Sequence, residues 1–236
     1  MTPTGRDKNQ STAGDPDRVC LEKVKRDAEV QALMAGGDQL LSAMGYTEHG
    51  TRHASWVSSV AYNVLSRLGL PGREAELAAI AGYLHDIGNV AGRHNHEQTG
   101  ALLARDVLAR LGMPYAEIGV IMGAIGNHEE NVGQVVSNVA AALMLADKSD
   151  VHRTRVRNPE IAGFDIHDRV NYAVEHSFLR VDDKDKTVTL QLTIDIKISP
   201  VMDYFEIFLS RMILCRRAAN FLGVRFELEV NGSKLL

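Results

Sequence analysis

The sequence has few cysteines, no long apolar run and no targeting signal at its start. Its two cysteines, Cys20 and Cys215, lie far apart in stretches with helical periodicity, which fits reduced thiols better than a disulfide framework. No apolar run approaches the roughly 20 residues needed to span a bilayer. Residues 1–17 are polar and lack the apolar segment of a secretory signal. We therefore expect a soluble, cytoplasmic protein with a disordered tail over residues 1–17 and no membrane partner.

The chain also lacks a large excess of charge of either sign. A formal net charge of -4 over 236 residues gives no general attraction for nucleic acid or for anionic membranes. We therefore do not expect nucleic acid as a partner, and any phosphate binding must come from a local group of cations. Hydrophobic residues make up 45% of the chain, which is typical of a globular protein, and the length allows one core domain with a smaller appendage.

Helical periodicity dominates residues 18–158. Apolar residues recur at intervals of three and four, and glycine or proline interrupts the pattern between segments. The pattern predicts helices over residues 18–34, 38–44, 53–68, 72–84, 96–111, 115–125 and 134–148. The first of these should end at Gly36-Gly37. We predict that residues 18–158 form one helical bundle.

Residues 159–236 have a different pattern, in which apolar and polar residues alternate as they do in half-buried strands. The pattern predicts strands over residues 178–181, 188–196 and 224–230, and a helix over residues 200–222 capped by Ser199. The result is a β-β-α-β unit, a three-stranded sheet with the helix on one face. We interpret the apolar seam of that helix, from Val201 to Leu222, as packing against the sheet, with a homo-oligomer interface as the alternative. The predicted fold class is mostly α, a helical bundle followed by a small α+β domain.

The dipeptide His85-Asp86 closes the apolar run of residues 77–84. At the end of a buried helix, an imidazole nitrogen and a carboxylate oxygen side by side can both reach one cation. Residues of the same two types recur at wide intervals, each on a predicted helix or at its end. They are His53, His96, His128 and Asp147. We therefore predict a metal site built from all six residues.

In chain order these residues resemble the H…HD…H…H…D signature of the HD-domain superfamily of metal-dependent phosphohydrolases, over residues 37–157. The resemblance implies that Asp86 bridges two metal ions, one held further by His53, His85 and Asp147 and the other by His96 and His128. Six ligands are too many for one tetrahedral zinc but suit two octahedral ions. Mixed nitrogen and oxygen ligands favour divalent transition metals, Fe or Mn first, with Mg, Ni, Co and Zn left open.

Three positions qualify the resemblance. His49 competes with His53 as the first ligand, although the apolar helical spacing follows His53. His94 competes with His96, which begins the segment His-Glu-Gln-Thr-Gly-Ala and so resembles the family's helix start; His94 then faces the ligands or the substrate. Many relatives with two metals have lysine where this chain has Asn89, so no lysine role transfers to that position.

A run of cations follows the predicted ligand Asp147: Lys148, Arg153, Arg155 and Arg157. A solvated helix end explains such a run, but arginine is also well suited to bidentate phosphate recognition. We predict substrate contacts at Lys148 and at least one of Arg153 and Arg157, then at Arg93 and Arg52, with Asp86 and Lys148 as catalytic residues. We expect Glu130 to be solvated.

The resemblance implies a hydrolase that cleaves a phosphoester or phosphoanhydride, in a nucleotide or a dinucleoside polyphosphate, by attack of a hydroxide that bridges the metals. The expected partner is a small phosphorylated substrate. Some HD proteins with the same ligands are di-iron oxygenases, which is the second hypothesis. The third is a metal-stabilised nucleotide-binding regulator without turnover. Fold analogy does not choose among the three.

Overall fold

The computed structural model describes residues 18–157 and 164–235. The predicted tail over residues 1–17 and the predicted domain boundary at residues 158 and 159 lie outside the described residues. The helices of the first part are α1 Leu21–Lys25, α2 Ala28–Ala43, α3 Thr51–Arg67, α4 Gly72–Leu84, α5 His96–Arg110, α6 Tyr115–Gly126 and α7 Asn138–Ser149. Two short 3-10 turns, Ile87–Ala91 and Arg153–Arg155, follow α4 and α7.

Helices α4 and α7 form the centre of the bundle. Every residue of α7 from Val139 to Ser149 is buried, and in α4 the buried run extends from Leu77 to Leu84. Helix α3 packs against both. Its close approach to α4 depends on Gly82, because a Cβ there would lie 3.0 Å from the backbone of Ser58. Helices packed on all sides hold the residues at their ends in fixed positions.

The prediction of one helix over residues 18–34, ended by Gly36-Gly37, is wrong. A new helix, α2, begins after Asp27, whose carboxylate accepts hydrogen bonds from the backbone N–H groups of Glu29 and Val30. Helix α2 then continues through both glycines to Ala43. Gly37 serves close packing and not termination, because a Cβ there would lie 3.1 Å from the backbone nitrogen of Val90.

Helix α7 begins later than the predicted residue 134. The hydroxyl of Ser137 accepts a hydrogen bond from the backbone N–H of Ala140 at 3.1 Å, which makes Ser137 the N-terminal cap of the helix. Residues 134–136 precede that cap, and Val136 is half exposed. The apolar character of Val135 and Val136 therefore belongs to a loop.

The second part contains α8 Ile166–Ala173, β1 Val174–Asp182, β2 Thr187–Ile194, α9 Val201–Phe221, β3 Arg225–Val230 and β4 Ser233–Lys234. The strands form one sheet in the order β1-β2-β3-β4. Strands β1 and β2 are antiparallel, whereas β2 and β3 are parallel because α9 crosses over between them. The predicted fold class is confirmed. The sheet has a fourth strand that we did not predict, and β2 ends at Ile194, before the exposed Ile196.

Helix α9 connects the two parts of the structure. Its buried side chains include Phe208, Met212 and Cys215 from the predicted seam, and the helix packs against both β3 and α7. Helix α9 therefore packs against α7 as well as against the sheet that we expected, and the homo-oligomer stays a prediction. Within the part of the chain that the structure describes, no helix has the length and apolarity needed to cross a membrane.

Candidate metal centre

The turn after α4 brings three predicted ligands together. His85 and Asp86 follow the last residue of α4, and the 3-10 turn Ile87–Ala91 then packs against α5, which begins with His96. Gly88 makes this packing possible, because a Cβ there would lie 2.0 Å from the carbonyl oxygen of His96. A side chain at residue 88 would therefore push α5, and with it His96, away from Asp86.

The other three predicted ligands come from separate elements. His53 lies in the first turn of α3, His128 in the loop after α6 and Asp147 near the end of α7. The six side chains form three overlapping groups in which the candidate ligand atoms lie within 4.8 Å of one another: His53, His85 and Asp86; His85, His128 and Asp147; Asp86, His96 and His128. The cluster can therefore hold a metal ion.

All four histidines of the cluster are oriented in the same way. Each Nδ1 has an oxygen acceptor: Asp150 Oδ2 for His53 at 2.6 Å, Gly82 O for His85 at 2.9 Å, Arg93 O for His96 at 3.0 Å and Ile125 O for His128 at 2.6 Å. The Nδ1 atoms therefore carry hydrogen, and in the neutral imidazole each Nε2 then has a lone pair for a metal ion. These lone pairs point into the cluster.

The resulting arrangement fits a cation and is unfavourable without one. The Nε2 atoms of His53 and His85 lie 3.2 Å apart, and those of His96 and His128 also lie 3.2 Å apart. Asp86 Oδ2 is buried and has no hydrogen-bond donor among the described residues. Lone pairs that face one another and a buried carboxylate oxygen without a donor are stabilised by a positive charge between them.

The pKa values within the cluster agree with this interpretation. Burial would raise the pKa of Asp86, but the neighbouring histidines and Arg93 lower it well below its usual range. Burial would lower the pKa of His85, but the carboxylates of Asp86 and Asp147 raise it. Burial, together with neighbouring positive charge, holds the pKa of His128 well below its usual value. The carboxylates are thus ionised, and the cluster attracts positive charge strongly.

A second carboxylate supports His53 from behind. Asp150 accepts a hydrogen bond from His53 Nδ1, and Arg52 Nη2 donates to the same oxygen at 2.9 Å. Arg155 is buried and donates from Nη1 to the backbone carbonyl of Asp150 at 2.7 Å. Arg52, a predicted substrate contact, therefore contacts Asp150 and also Glu48 at 2.8 Å. This carboxylate-histidine pair orients the His53 ring for metal binding.

Lys148 lies between two carboxylates. Its Nζ is 2.7 Å from Asp147 Oδ2 and 2.8 Å from Glu130 Oε2. Burial would lower the pKa of Lys148, but the two carboxylates raise it above its usual value. Lys148 therefore reaches the cluster as a cation. The Glu130 side chain is largely shielded from solvent, which differs from the solvated side chain that we expected.

The predicted arginines separate into two groups. Arg93 Nη1 lies 3.1 Å from His96 Nε2 and 3.6 Å from Asp86 Oδ1, at the edge of the cluster. Arg153 pairs with Glu175 at 3.1 Å, and Arg157 pairs with Asp38. Neither of the last two has a cluster residue among its described ion-pair partners, so their contact with substrate stays a prediction.

The alternative ligands His49 and His94 lie outside the three ligand groups. The His49 ring is 5.6 Å from that of His53, and its Nδ1 donates to the carbonyl of Thr47 at 2.7 Å. His94 lines a cavity of about 580 Å³ on the outer side of Arg93. Both histidines therefore lie close to the site as neighbours of the ligands.

A second cavity, of about 440 Å³, opens beside the cluster. Its wall includes His49, Arg93 and Arg155 from the first part of the chain and Phe208 and Arg211 from α9. We did not predict a role for Arg155 or Arg211. Arg155 could have been proposed from the sequence, because it belongs to the cationic run after Asp147. Nothing in the local sequence distinguishes Arg211 from the other arginines of α9.

The comparisons with known proteins agree with the ligand geometry. Residues 51–151 match the HD domain family. The chain is also 24% identical over 196 residues to the uncharacterized protein MJ1020 of Methanocaldococcus jannaschii, which covers 74% of this chain and 75% of that protein. The matched segment runs from α3 to just beyond α7 and contains all six predicted ligands. Residues 51–151 are therefore similar to HD domains, and the His/Asp cluster that could hold a metal ion lies within the matched segment.

Proposed function

We propose that this protein is a metal-dependent phosphohydrolase that cleaves a phosphoester or phosphoanhydride in a nucleotide or a dinucleoside polyphosphate. The observation that carries the proposal is the convergence of four imidazole lone pairs and two ionised carboxylates in one buried cluster beside a cavity. Three arginines in the wall of that cavity can bind an anionic group, and carboxylates such as Glu129 and Asp168 share the wall with them. The proposed partner is therefore a small phosphorylated molecule.

The arrangement around Asp86 supports two metal ions. Asp86 Oδ1 lies 3.3 Å from His96 Nε2, whereas Oδ2 lies 3.4 Å from His85 Nε2 and 3.7 Å from His53 Nε2. The two oxygens of one carboxylate thus face different imidazole pairs, as a bridging ligand requires. Four nitrogen donors favour Fe or Mn over Mg, which prefers oxygen.

Each protein group has a separate part in the proposed reaction. Divalent cations, when bound, supply an acidic water as the nucleophile and positive charge for the phosphoryl oxygens. Arg93 lies where its guanidinium can hold a phosphate oxygen next to Asp86. Lys148 neutralises Asp147 and has one further N–H to donate. The buried walls around His53 and His85 keep bulk water away from the ligands.

Metal content and phosphate release test the proposal together. The protein purified without chelator is analysed for metals and then assayed for phosphate release from nucleoside mono-, di- and triphosphates and dinucleoside polyphosphates, with and without O₂. We expect about two transition metal ions per chain and O₂-independent phosphate release. Turnover that requires O₂ and liberates no phosphate would replace this proposal with the oxygenase.

The test variant is Asp86→Asn, and its matched control is Asp106→Asn. Asp106 lies on the exposed surface of α5, where it pairs with Arg105. We expect Asp86→Asn to lose metal and phosphate release, and Asp106→Asn to retain both. Tight nucleotide binding without turnover in the metal-loaded protein would favour the regulator.

A further inference from the structure

A row of alternating charges leads from helix α9 to the metal centre. Arg211 Nε donates to Glu130 Oε1 at 2.8 Å, and Glu130 Oε2 accepts from Lys148 Nζ at 2.8 Å. Lys148 Nζ in turn lies 2.7 Å from Asp147 Oδ2. The other oxygen of Asp147, Oδ1, lies 3.4 Å from His53 Nε2. Each carboxylate thus has one oxygen next to the group before it in the row and its other oxygen next to the group after it.

These side chains are shielded from solvent. The side chain of Lys148 is 4% exposed, that of Glu130 10% and that of Arg211 22%. Ionised groups in such surroundings are stable only when each is paired, and within the row two carboxylates alternate with two cations, while Glu129 is a further carboxylate next to Glu130. Removing the Arg211 charge leaves two carboxylates to share the single ammonium of Lys148.

Arg211 is itself fixed by its own helix. Its guanidinium lies 4.3 Å from the centre of the Phe208 ring, and Phe208 is buried one turn earlier on α9. Helix α9 packs against α7, which carries both Asp147 and Lys148. The position of Arg211 relative to Asp147 is therefore set by helix packing. Glu130, in contrast, lies in the loop after α6.

We propose that Arg211 is a positioning residue for the metal centre: through Glu130 and Lys148 it holds Asp147 with Oδ1 toward the histidines. The C-terminal part of the chain thereby contributes to metal binding. The inference rests on the metal site of the proposed function, but it does not depend on which reaction that site performs. With Arg211 absent, Glu130 is no longer held on its far side, so Lys148 loses a fixed partner and no longer fixes the rotation of the Asp147 carboxylate.

The test measures metal affinity and needs no substrate. Arg211→Gln, Arg211→Lys and Arg216→Gln are made in the full chain, stripped with chelator and titrated with Mn²⁺, with free Mn²⁺ followed by electron paramagnetic resonance. Arg216 is the matched control because it lies on the same helix, is exposed and has no hydrogen-bond partner among the described residues. Circular dichroism of the metal-free proteins checks the fold, and Co²⁺ absorption spectra report the ligand field.

We expect Arg211→Gln to weaken Mn²⁺ binding about tenfold to a hundredfold and to alter the Co²⁺ spectrum, as the loss of a group behind a metal ligand does. Arg211→Lys keeps the charge and should recover most of the affinity, and Arg216→Gln should match wild type. Wild-type affinity and an unchanged Co²⁺ spectrum in folded Arg211→Gln would overturn the inference.

A second variant covers the case in which Arg211→Gln does not fold. Glu130→Gln removes the middle of the row from a loop, and we expect it to weaken Mn²⁺ binding by a similar factor. Wild-type affinity in that variant would also overturn the inference. A wild-type protein that binds Mn²⁺ but releases no phosphate would refute the proposed function and leave this inference standing.

Discussion

The two parts of the structure meet the metal centre in different ways. The bundle supplies all six candidate ligands from residues at or near helix ends, and its central helices α4 and α7 are buried on nearly every side. The described residues of the C-terminal part include no candidate ligand, and α9 buries only part of its circumference, leaving Met202 and Leu209 exposed. Its residue Arg211 pairs with Glu130, and residues of α8 and α9 line the cavity beside the centre.

The bundle and the C-terminal part therefore have different tasks at the metal centre. Rigid burial of α4 and α7 fixes where His85, Asp86 and Asp147 stand, because packed helices do not shift without loss of many contacts. The C-terminal part instead adjusts charge and closes one wall of the cavity. Substitutions in the two parts should therefore have different effects. Those in the bundle remove candidate metal ligands, whereas those in α9 weaken or displace ligands that are still present.

Removing the C-terminal part should have the largest effect. A chain ended at residue 157 loses α9, so the surface of α7 that packs against α9 becomes exposed, and Glu130 loses Arg211. We expect aggregation or loss of the folded bundle, measured by light scattering and circular dichroism. A soluble, monomeric and fully active shortened chain would show that the bundle folds and acts alone.

Within the bundle, a bridging ligand should matter more than a terminal one. Asp86→Ala removes the carboxylate that faces both imidazole pairs, so we expect loss of both metal ions and of phosphate release. His128→Ala removes one imidazole and should weaken mainly one ion. Elemental analysis measures the metal content of the two variants. Wild-type metal content in Asp86→Ala would place the metal site elsewhere.

That the six His and Asp side chains lie together could be predicted because chemistry and spacing are both visible in the sequence. His85-Asp86 ends a continuous apolar run, and Asp147 ends another, so each residue type coincides with a helix end. The helix limits near Gly36-Gly37 could not be predicted in the same way. Glycine there permits contact with residue 90, and such a contact is indistinguishable from a helix stop in a single sequence.

The row of charges that begins at Arg211 could not be predicted for a different reason. Glu130 and Arg211 are 81 residues apart, and the periodicity of each segment says nothing about their contact. The same holds for Arg155, whose neighbours pair elsewhere, Arg153 with the exposed Glu175 and Arg157 with the half-buried Asp38. Residue type suggests phosphate binding for all three arginines, and only the fold distinguishes a buried position from an exposed one.

Two arginines test how substrate contacts divide between the cluster and the surface. Arg93→Gln should retain metal but lose phosphate release, by about tenfold to a thousandfold, if one charged contact of about 1.5 to 4 kcal/mol is removed. Arg153→Ala tests the sequence-based prediction of a similar loss. Steady-state kinetics of both variants provide the comparison. An effect at Arg153 as large as that at Arg93 would mean that substrate extends to Glu175.

The carboxylate behind His53 should have a smaller effect than a ligand. Asp150→Asn keeps an oxygen acceptor for His53 Nδ1 but removes the charge that strengthens the hydrogen bond. We expect metal affinity to fall about tenfold to a hundredfold, measured by Mn²⁺ titration. Glu175→Gln is the control, since its partner Arg153 lies on the surface. Unchanged affinity in Asp150→Asn would show that Gly50 and the start of α3 orient His53 unaided.

The smallest effect is expected at Asp27, which serves the fold of the bundle and lies outside the three ligand groups. Its carboxylate caps α2 and accepts from Arg110 Nη2 at 2.7 Å. Asp27→Ala should lower the free energy of unfolding by about 0.5 to 2 kcal/mol, measured by urea denaturation, because the cap is lost. Asp27→Asn keeps the cap and should cost less. Metal content should stay at the wild-type value in both.

The pH dependence of Asp27 distinguishes the cap from the ion pair. The hydrogen bond from Arg110 lowers the pKa of Asp27 in the folded protein, so the unfolded chain takes up this proton first as pH falls. The ion-pair contribution is therefore complete above the unfolded value of about 3.9 and is lost as pH falls through the lower, folded value. The stability difference between wild type and Asp27→Asn should be constant from pH 7 to about pH 5 and shrink in more acidic solution. A difference that grows on acidification would mean that the carboxylate is stabilised more in the unfolded chain than by Arg110.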